Sequence, residues 1–222
     1  GNVPIEYYLS EQWFLKMENL AKPANDAVRN KEINFYPNHW VKTYNHWMDN
    51  IQDWCISRQL YWGHQIPVWY KKDADRSNQD NWFVSITPPT DLENWEQDND
   101  VLDTWFSSWL WPFAVHGWPD IKTTKYFPTN ALVTGPDIIF FWVARMIMSG
   151  YEFMGDLPFR DVYFTSILRD DKGRKLSKSL GNSPDPITLF EKYGTDATRF
   201  SIMLMSPQGS DCLLYTSPSP RD

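Results

Sequence analysis

The chain has 222 residues, enough for one large domain with a sizeable core. Its formal net charge of -7 excludes a general nucleic-acid-binding surface, so any RNA contact must be local and DNA is not an expected partner. Two cysteines, Cys55 and Cys212, lie far apart without a CxxC pair, which argues against a disulfide framework and against zinc, and suits a reducing cytoplasm.

Residues 5–17 read as an extended segment, and residues 18–30 carry a helical pattern with a proline in the early part. Phe35 to Pro37 is a short extended break. His39 to Ile51 predicts an aromatic helix, with Trp40, Tyr44 and Trp47 at i, i+4 and i+7. Ile66 to Tyr70 reads as a strand. Residues 71–99 are polar, rich in Asp and Asn and broken by Pro88-Pro89, as expected of a surface insertion or loop. Asn130 to Thr134 is an apolar strand, and Gly135-Pro136 turns the chain. Asp137 to Ser149 predicts a strongly apolar helix that Gly150 can end, with Phe140, Phe141, Trp142 and Met146 as core. Its most apolar stretch, Ile138 to Met148, is interrupted by Arg145 and is too short to span a membrane. No signal peptide is visible. Val162 to Leu168 is the next strand, and two helices, Thr188 to Tyr193 and Asp196 to Met205, flank Gly194. Residues 212–222 (CLLYTSPSPRD) lose all periodicity and are expected to be disordered or foreign to the domain. Thirteen tryptophans mostly pack the core or cover the surface; aromatic richness alone does not point to nucleic acid.

Strand, crossover helix and strand imply an α/β fold with a doubly wound parallel sheet, whose ligands sit beyond the carboxyl ends of the strands. Two segments fall there. One is the turn at Gly135, where a glycine permits close ligand approach and Asp137 can accept hydrogen bonds from sugar hydroxyls. The other reading makes Gly135-Pro136 a plain turn and Asp137 a helix N-cap. The second segment is Lys175-Leu176-Ser177-Lys178-Ser179, which follows Asp170-Asp171-Lys172-Gly173-Arg174. A mobile, cationic, hydroxyl-rich loop can hold a polyphosphate whose charge rises during reaction. Its bland alternative is a solvated basic turn.

KLSKS resembles the KMSKS signature of the class I aminoacyl-tRNA synthetases, with leucine in place of methionine. Three more blocks resemble that family in order: NIQDWCISRQLYWGH (Asn50 to His64), DVLDTWFSS (Asp100 to Ser108) and TGPDIIFFWVARMIM (Thr134 to Met148). RDDKGRKLSKSLGNSPDP (Arg169 to Pro186) contains the signature. The blocks span most of residues 5–210. Within the family, the WGHQIP and LDTWFSS forms resemble the valyl branch. Isoleucyl and leucyl branches, or a non-catalytic synthetase-like module binding a nucleotide or partner, are the alternatives.

The resemblance implies the second half of a Rossmann-like catalytic domain over residues 1–211, with a connective insertion. Residues to about 35 return from an editing insertion, and 71–99 form the polar insertion. It implies ATP with Mg2+ as a substrate complex, valine, and tRNA(Val) as partners. Lys178 is expected to make the largest transition-state contact, with Lys175 assisting. Gly135, Asp137, Lys175, Ser177, Lys178 and Ser179 are the implied ATP site. Trp62 and Trp105, with Val101 and Asp100 nearby, are the implied amino-acid pocket, although an arbitrary tryptophan is more often core. Asp103 reads as structural. Leucine and methionine have similar volume, so Leu176 should preserve the packing of the loop. No HIGH-type signature occurs, and the chain starts at Gly1 inside sequence that reads as folded. It is therefore expected to be a fragment, inactive alone.

Overall fold

The computed structural model describes residues 4–120 and 125–206, and the backbone of 212–213. β1 (Phe14–Leu15) leads into α1 (Glu18–Arg29), which buries Ala21, Ala24, Ala27 and Val28 along one face. This spacing follows the helical period, and the small side chains let a neighbouring helix approach closely. β2 (Asn34–Tyr36) precedes α2 (Trp40–Asp49), which buries Tyr44 and Met48. The Tyr44 hydroxyl donates to the Ala24 carbonyl at 3.1 Å and ties the two helices together.

β3 (Trp54–Cys55) pairs antiparallel with β1, and β4 (Ser57–Arg58) follows at once. The polar insertion is not a structureless loop. β5 (Val68–Lys71), β6 (Trp82–Val84) and β7 (Trp95–Gln97) form an antiparallel sheet in the order β6-β5-β7. Tryptophans interspersed among acids and amides carry these strands. The Trp82 indole donates to the Arg76 carbonyl at 2.7 Å, and the Trp95 indole to Asp91 at 3.1 Å. β8 (Val101–Leu102) pairs with β4, and two short helices follow, α3 (Thr104–Ser108) and α4 (Trp111–Ala114).

β9 (Thr129–Thr134) starts the crossover. Residues 136–154 are continuously helical, opening with a tight turn at Pro136–Ile138 and containing α5 (Ala144–Ser149). The expected stop at Gly150 is therefore wrong. A Cβ at Gly150 would lie 2.9 Å from the Asp156 carbonyl and from Pro158, so this glycine serves close packing. The helix ends at Gly155, whose φ of +70° is the left-handed conformation that glycine adopts without penalty. Phe141 is also not core: it is 48% exposed, while Met146 is fully buried.

β10 (Phe159–Phe164) completes a parallel sheet in the order β2-β10-β9. It begins three residues earlier than Val162 and ends at Phe164, because its partner β9 runs out at Thr134. Phe35, Val162 and Phe164 are buried against the helices, each worth roughly 1.5–3 kcal/mol of apolar burial. The opposite face leaves Tyr36, Val133 and Tyr163 exposed, with the two tyrosine rings stacked at 5.1 Å. β11 (Leu168–Arg169) leads to the lysine segment. α6 (Pro186–Tyr193) is capped by Asp185, whose carboxylate accepts from the Ile187 amide at 3.0 Å. Gly194, at φ +85°, separates it from α7 (Thr195–Met205). The expected disordered or foreign tail is residues 212–222. Of these, β12 (Cys212–Leu213) pairs with β11, and 214–222 lie outside the described residues.

Candidate active site

The lysine segment is the return arm of a hairpin. Arg169 pairs with Lys175 across a five-residue turn, and the Leu176 amide donates to the Leu168 carbonyl at 3.1 Å. Gly173, at φ +73°, closes the turn as an L side chain could not without strain. Asp170 is its centre. Its carboxylate accepts from the Lys172 amide at 3.0 Å, the Arg174 amide at 2.8 Å, the Arg174 Nε at 2.8 Å and the Asn182 amide group at 2.9 Å. The Asn182 amide, then the Arg174 guanidinium and backbone, hold this carboxyl well below the usual carboxylate range. Asn182 also accepts from the Ser177 amide at 2.8 Å and donates to the Lys175 carbonyl at 3.2 Å. The segment is thus braced from both sides. Neither Asp170 nor Asn182 stood out in the sequence. The Asp-x-x-Gly spacing of a tight turn was the available signal for Asp170.

The bracing sets four candidate residues. Lys175 makes an ion pair with Asp137, bringing the two candidate segments together. Ser177 and Ser179 bond each other through their hydroxyls at 2.8 Å. Lys178 opens a single helical turn, is exposed, and has no ion pair among the described residues. Asp137 is not the N-cap; Gly135 holds that position without a side-chain bond. A Cβ at Gly135 would lie 2.6 Å from the Asp137 carboxylate and 3.4 Å from Ile167. Absence of a side chain there gives Asp137 room to turn towards Lys175.

The second group is the pocket set, and the structure divides it. Trp105 follows Asp103, whose carboxylate accepts from the Trp105 amide at 3.2 Å and caps α3. The Trp105 ring stacks on Phe141 at 5.8 Å. With Trp54, Arg58, Asp103, Phe141 and Arg145 it lines a cleft of about 540 Å3. Trp62, by contrast, is 88% exposed on the loop after β4 and does not line that cleft. Val101 is buried and fills the space beside Gly63, where a Cβ would lie 2.8 Å from it. Asp100 accepts from Gln59 at 2.7 Å and lines a different cleft, beside Trp13 and Tyr70.

Asp103 does more than cap. Its other oxygen accepts from the Trp54 indole at 2.9 Å and Arg58 at 2.7 Å, and Arg145 lies 3.9 Å away. The Arg145 guanidinium stacks on Trp54 at 3.5 Å from the ring centre, with its side chain only 10% exposed. Burial pulls its pKa down to about 10, partly offset by Asp103, so it remains protonated at neutral pH. Its Nε and Nη1 atoms have no hydrogen-bond partner among the described residues. The ring face supplies their attraction instead.

The comparisons with known proteins agree with this architecture. The family model for class I tRNA synthetases (I, L, M and V) matches residues 5–214. A valine–tRNA ligase of Chlorobaculum tepidum is 58% identical over 96% of this chain and 24% of its own. One from Bacillus subtilis is 53% identical over 93% of this chain and 23% of its own. The chain thus spans about a quarter of the length of these curated relatives. Among solved structures, a Mycobacterium tuberculosis methionyl-tRNA synthetase in complex with methionyl-adenylate superposes with a TM-score of 0.65 at 22% identity, covering 91% of this chain and 35% of that one. An Agrobacterium radiobacter LeuRS in ternary complex with tRNA and LeuAMS gives 0.60 at 21% identity, over 74% and 26%. Among the described residues no helix is long and apolar enough to cross a membrane. By its four blocks in order, its parallel sheet and its family match, this chain belongs to the class I tRNA synthetases of the I, L, M and V group.

Proposed function

We propose that this segment supplies the lysine-loop half of a valine–tRNA ligase active site. Valine is joined to ATP as valyl-adenylate and then passed to the 3′ end of tRNA(Val). The observation that carries this is the meeting of the two candidate ligand segments at the carboxyl end of the sheet, where Lys175 pairs with Asp137 beside Lys178, which has no ion pair among the described residues. The names of relatives at 53–58% identity favour valine as the amino acid.

No protein nucleophile is needed. The valine carboxylate attacks the α-phosphate and pyrophosphate leaves, so catalysis rests on positioning and charge. Lys178 meets the departing phosphates, and Lys175 assists once it has left Asp137. Asp137 is then free to accept from the ribose hydroxyls, while Gly135 leaves room for the nucleotide. Ser177 and Ser179 hold the loop in shape. Trp105 walls the side-chain pocket, Trp62 and Asp100 contribute if their loops close on substrate, and Val101, buried in β8, backs Gly63. Mg2+ would arrive on the phosphates of ATP and supply further positive charge to them. The test is amino-acid-dependent exchange of pyrophosphate into ATP by the full-length protein that contains this segment. Valine should give the highest kcat/KM; preference for isoleucine or leucine, or no exchange with any amino acid, overturns the reading.

A further inference from the structure

We propose that Asp103 is a positioning residue: it sets the orientation of Trp105 against the amino-acid substrate by joining four separate segments of chain. The inference rests on the reading that Trp105 faces that substrate. Asp103 is 6% exposed, so its charge must be satisfied internally. One carboxylate oxygen accepts from the Trp105 amide at 3.2 Å and fixes the first turn of α3. The other accepts from Trp54 in β3 at 2.9 Å and Arg58 in β4 at 2.7 Å. Arg145 approaches from the crossover helix, 3.9 Å away and stacked on Trp54. The same helix supplies Phe141, on which Trp105 lies. Both supports of the Trp105 ring, the backbone beneath it and the ring beside it, therefore lead back to one carboxylate. A local capping residue would need only the first contact. The remaining contacts tie α3 to distant strands and to a buried cation, as expected where a side chain must be held to within a fraction of an ångström.

The Asp103→Asn substitution separates these roles. The amide oxygen can still cap α3, but the amide nitrogen faces the Trp54 and Arg58 donors and cannot accept from them. The experiment uses the full-length protein labelled with 5-fluorotryptophan, the Trp105 signal being identified by its loss in Trp105→Phe. In Asp103→Asn the Trp105 fluorine resonance should shift or broaden. The KM for valine should rise by roughly tenfold and the preference for valine over isoleucine should fall, while the KM for ATP stays within about twofold. An unmoved resonance in folded protein overturns the proposal, as does a moved resonance with unchanged valine KM. Should Asp103→Asn fail to fold, Arg58→Met takes its place, since the Arg58 side chain is 38% exposed. It should move the same resonance by a smaller amount, and no movement overturns the proposal. If the parent protein shows no exchange, the assignment of the reaction fails, and the resonance alone decides whether Asp103 holds Trp105.

Discussion

Two buried carboxylates organise this molecule, and they do so differently. Asp170, 7% exposed, gathers donors from residues 172, 174 and 182, all within twelve positions of itself. Asp103, 6% exposed, gathers Trp54 and Arg58, more than forty residues away, together with the adjacent Trp105 amide. The first shapes a local device, a hairpin that presents Lys178. The second joins β3, β4, α3 and the crossover helix into one body. Loss of the local centre should therefore disturb one loop, and loss of the long-range centre the whole domain.

The largest effect should come from the residue that the local centre presents. In the full-length protein, Lys178→Ala should slow adenylate formation by about 10²- to 10⁴-fold, about 3–5 kcal/mol on the barrier. KM should change less, because the contact strengthens as pyrophosphate departs. Pre-steady-state formation of adenylate is the direct measurement. A normal rate at saturating ATP would make Lys178 a ground-state binding element. Lys175→Ala should cost less, since this lysine is paired with Asp137.

The next effect contrasts the two centres. Asp103→Ala leaves the buried Arg145 cation without its counter-ion and should destabilise the domain by about 3–5 kcal/mol. Asp170→Ala should leave global unfolding by denaturant nearly unchanged, while tryptic cleavage at Lys172 or Arg174 accelerates several-fold. The reverse pattern would break the distinction between a local and a long-range centre.

A smaller effect is pH dependence. The Asp170 carboxyl is held below its ordinary value, so its contribution is present above the unfolded value and lost only as pH falls towards the folded one. Hydrogen-exchange protection of the Arg174 amide, corrected for intrinsic rates, should be constant between about pH 8 and 5 and decline only below about pH 4. A decline near neutrality would assign the bracing to another group. Smallest of all is Trp62→Phe, which should change stability by no more than about 0.5 kcal/mol, since that ring is 88% exposed.

Much of the local structure was legible from periodicity and punctuation. α1 and α2 follow their apolar spacing, β9 follows its apolar run, and Gly194 divides α6 from α7 where a glycine was read as a break. The misreadings share a cause. Gly150 looked like a helix stop, yet its role depends on Pro158 and the Asp156 carbonyl, which only the packed structure brings beside it. Residues 71–99 read as a surface insertion or a loop because their average is polar, and the loop alternative fails because β6 and β7 are held by pairing with β5. Phe141 looked like core and instead supports Trp105.

The family, the crossover unit, the lysine segment and the candidate residues within it are all legible along the chain, because each is written in residue types at short, fixed spacing. Folding selects which of those candidates meet. It brought Lys175 to Asp137, separated Trp62 from Trp105, and made Asp103 the centre of a buried ion and indole cluster. Spacing along the chain sets what a segment can do alone. The desolvation of a charge, and hence the partners it must find, depends on everything folded around it.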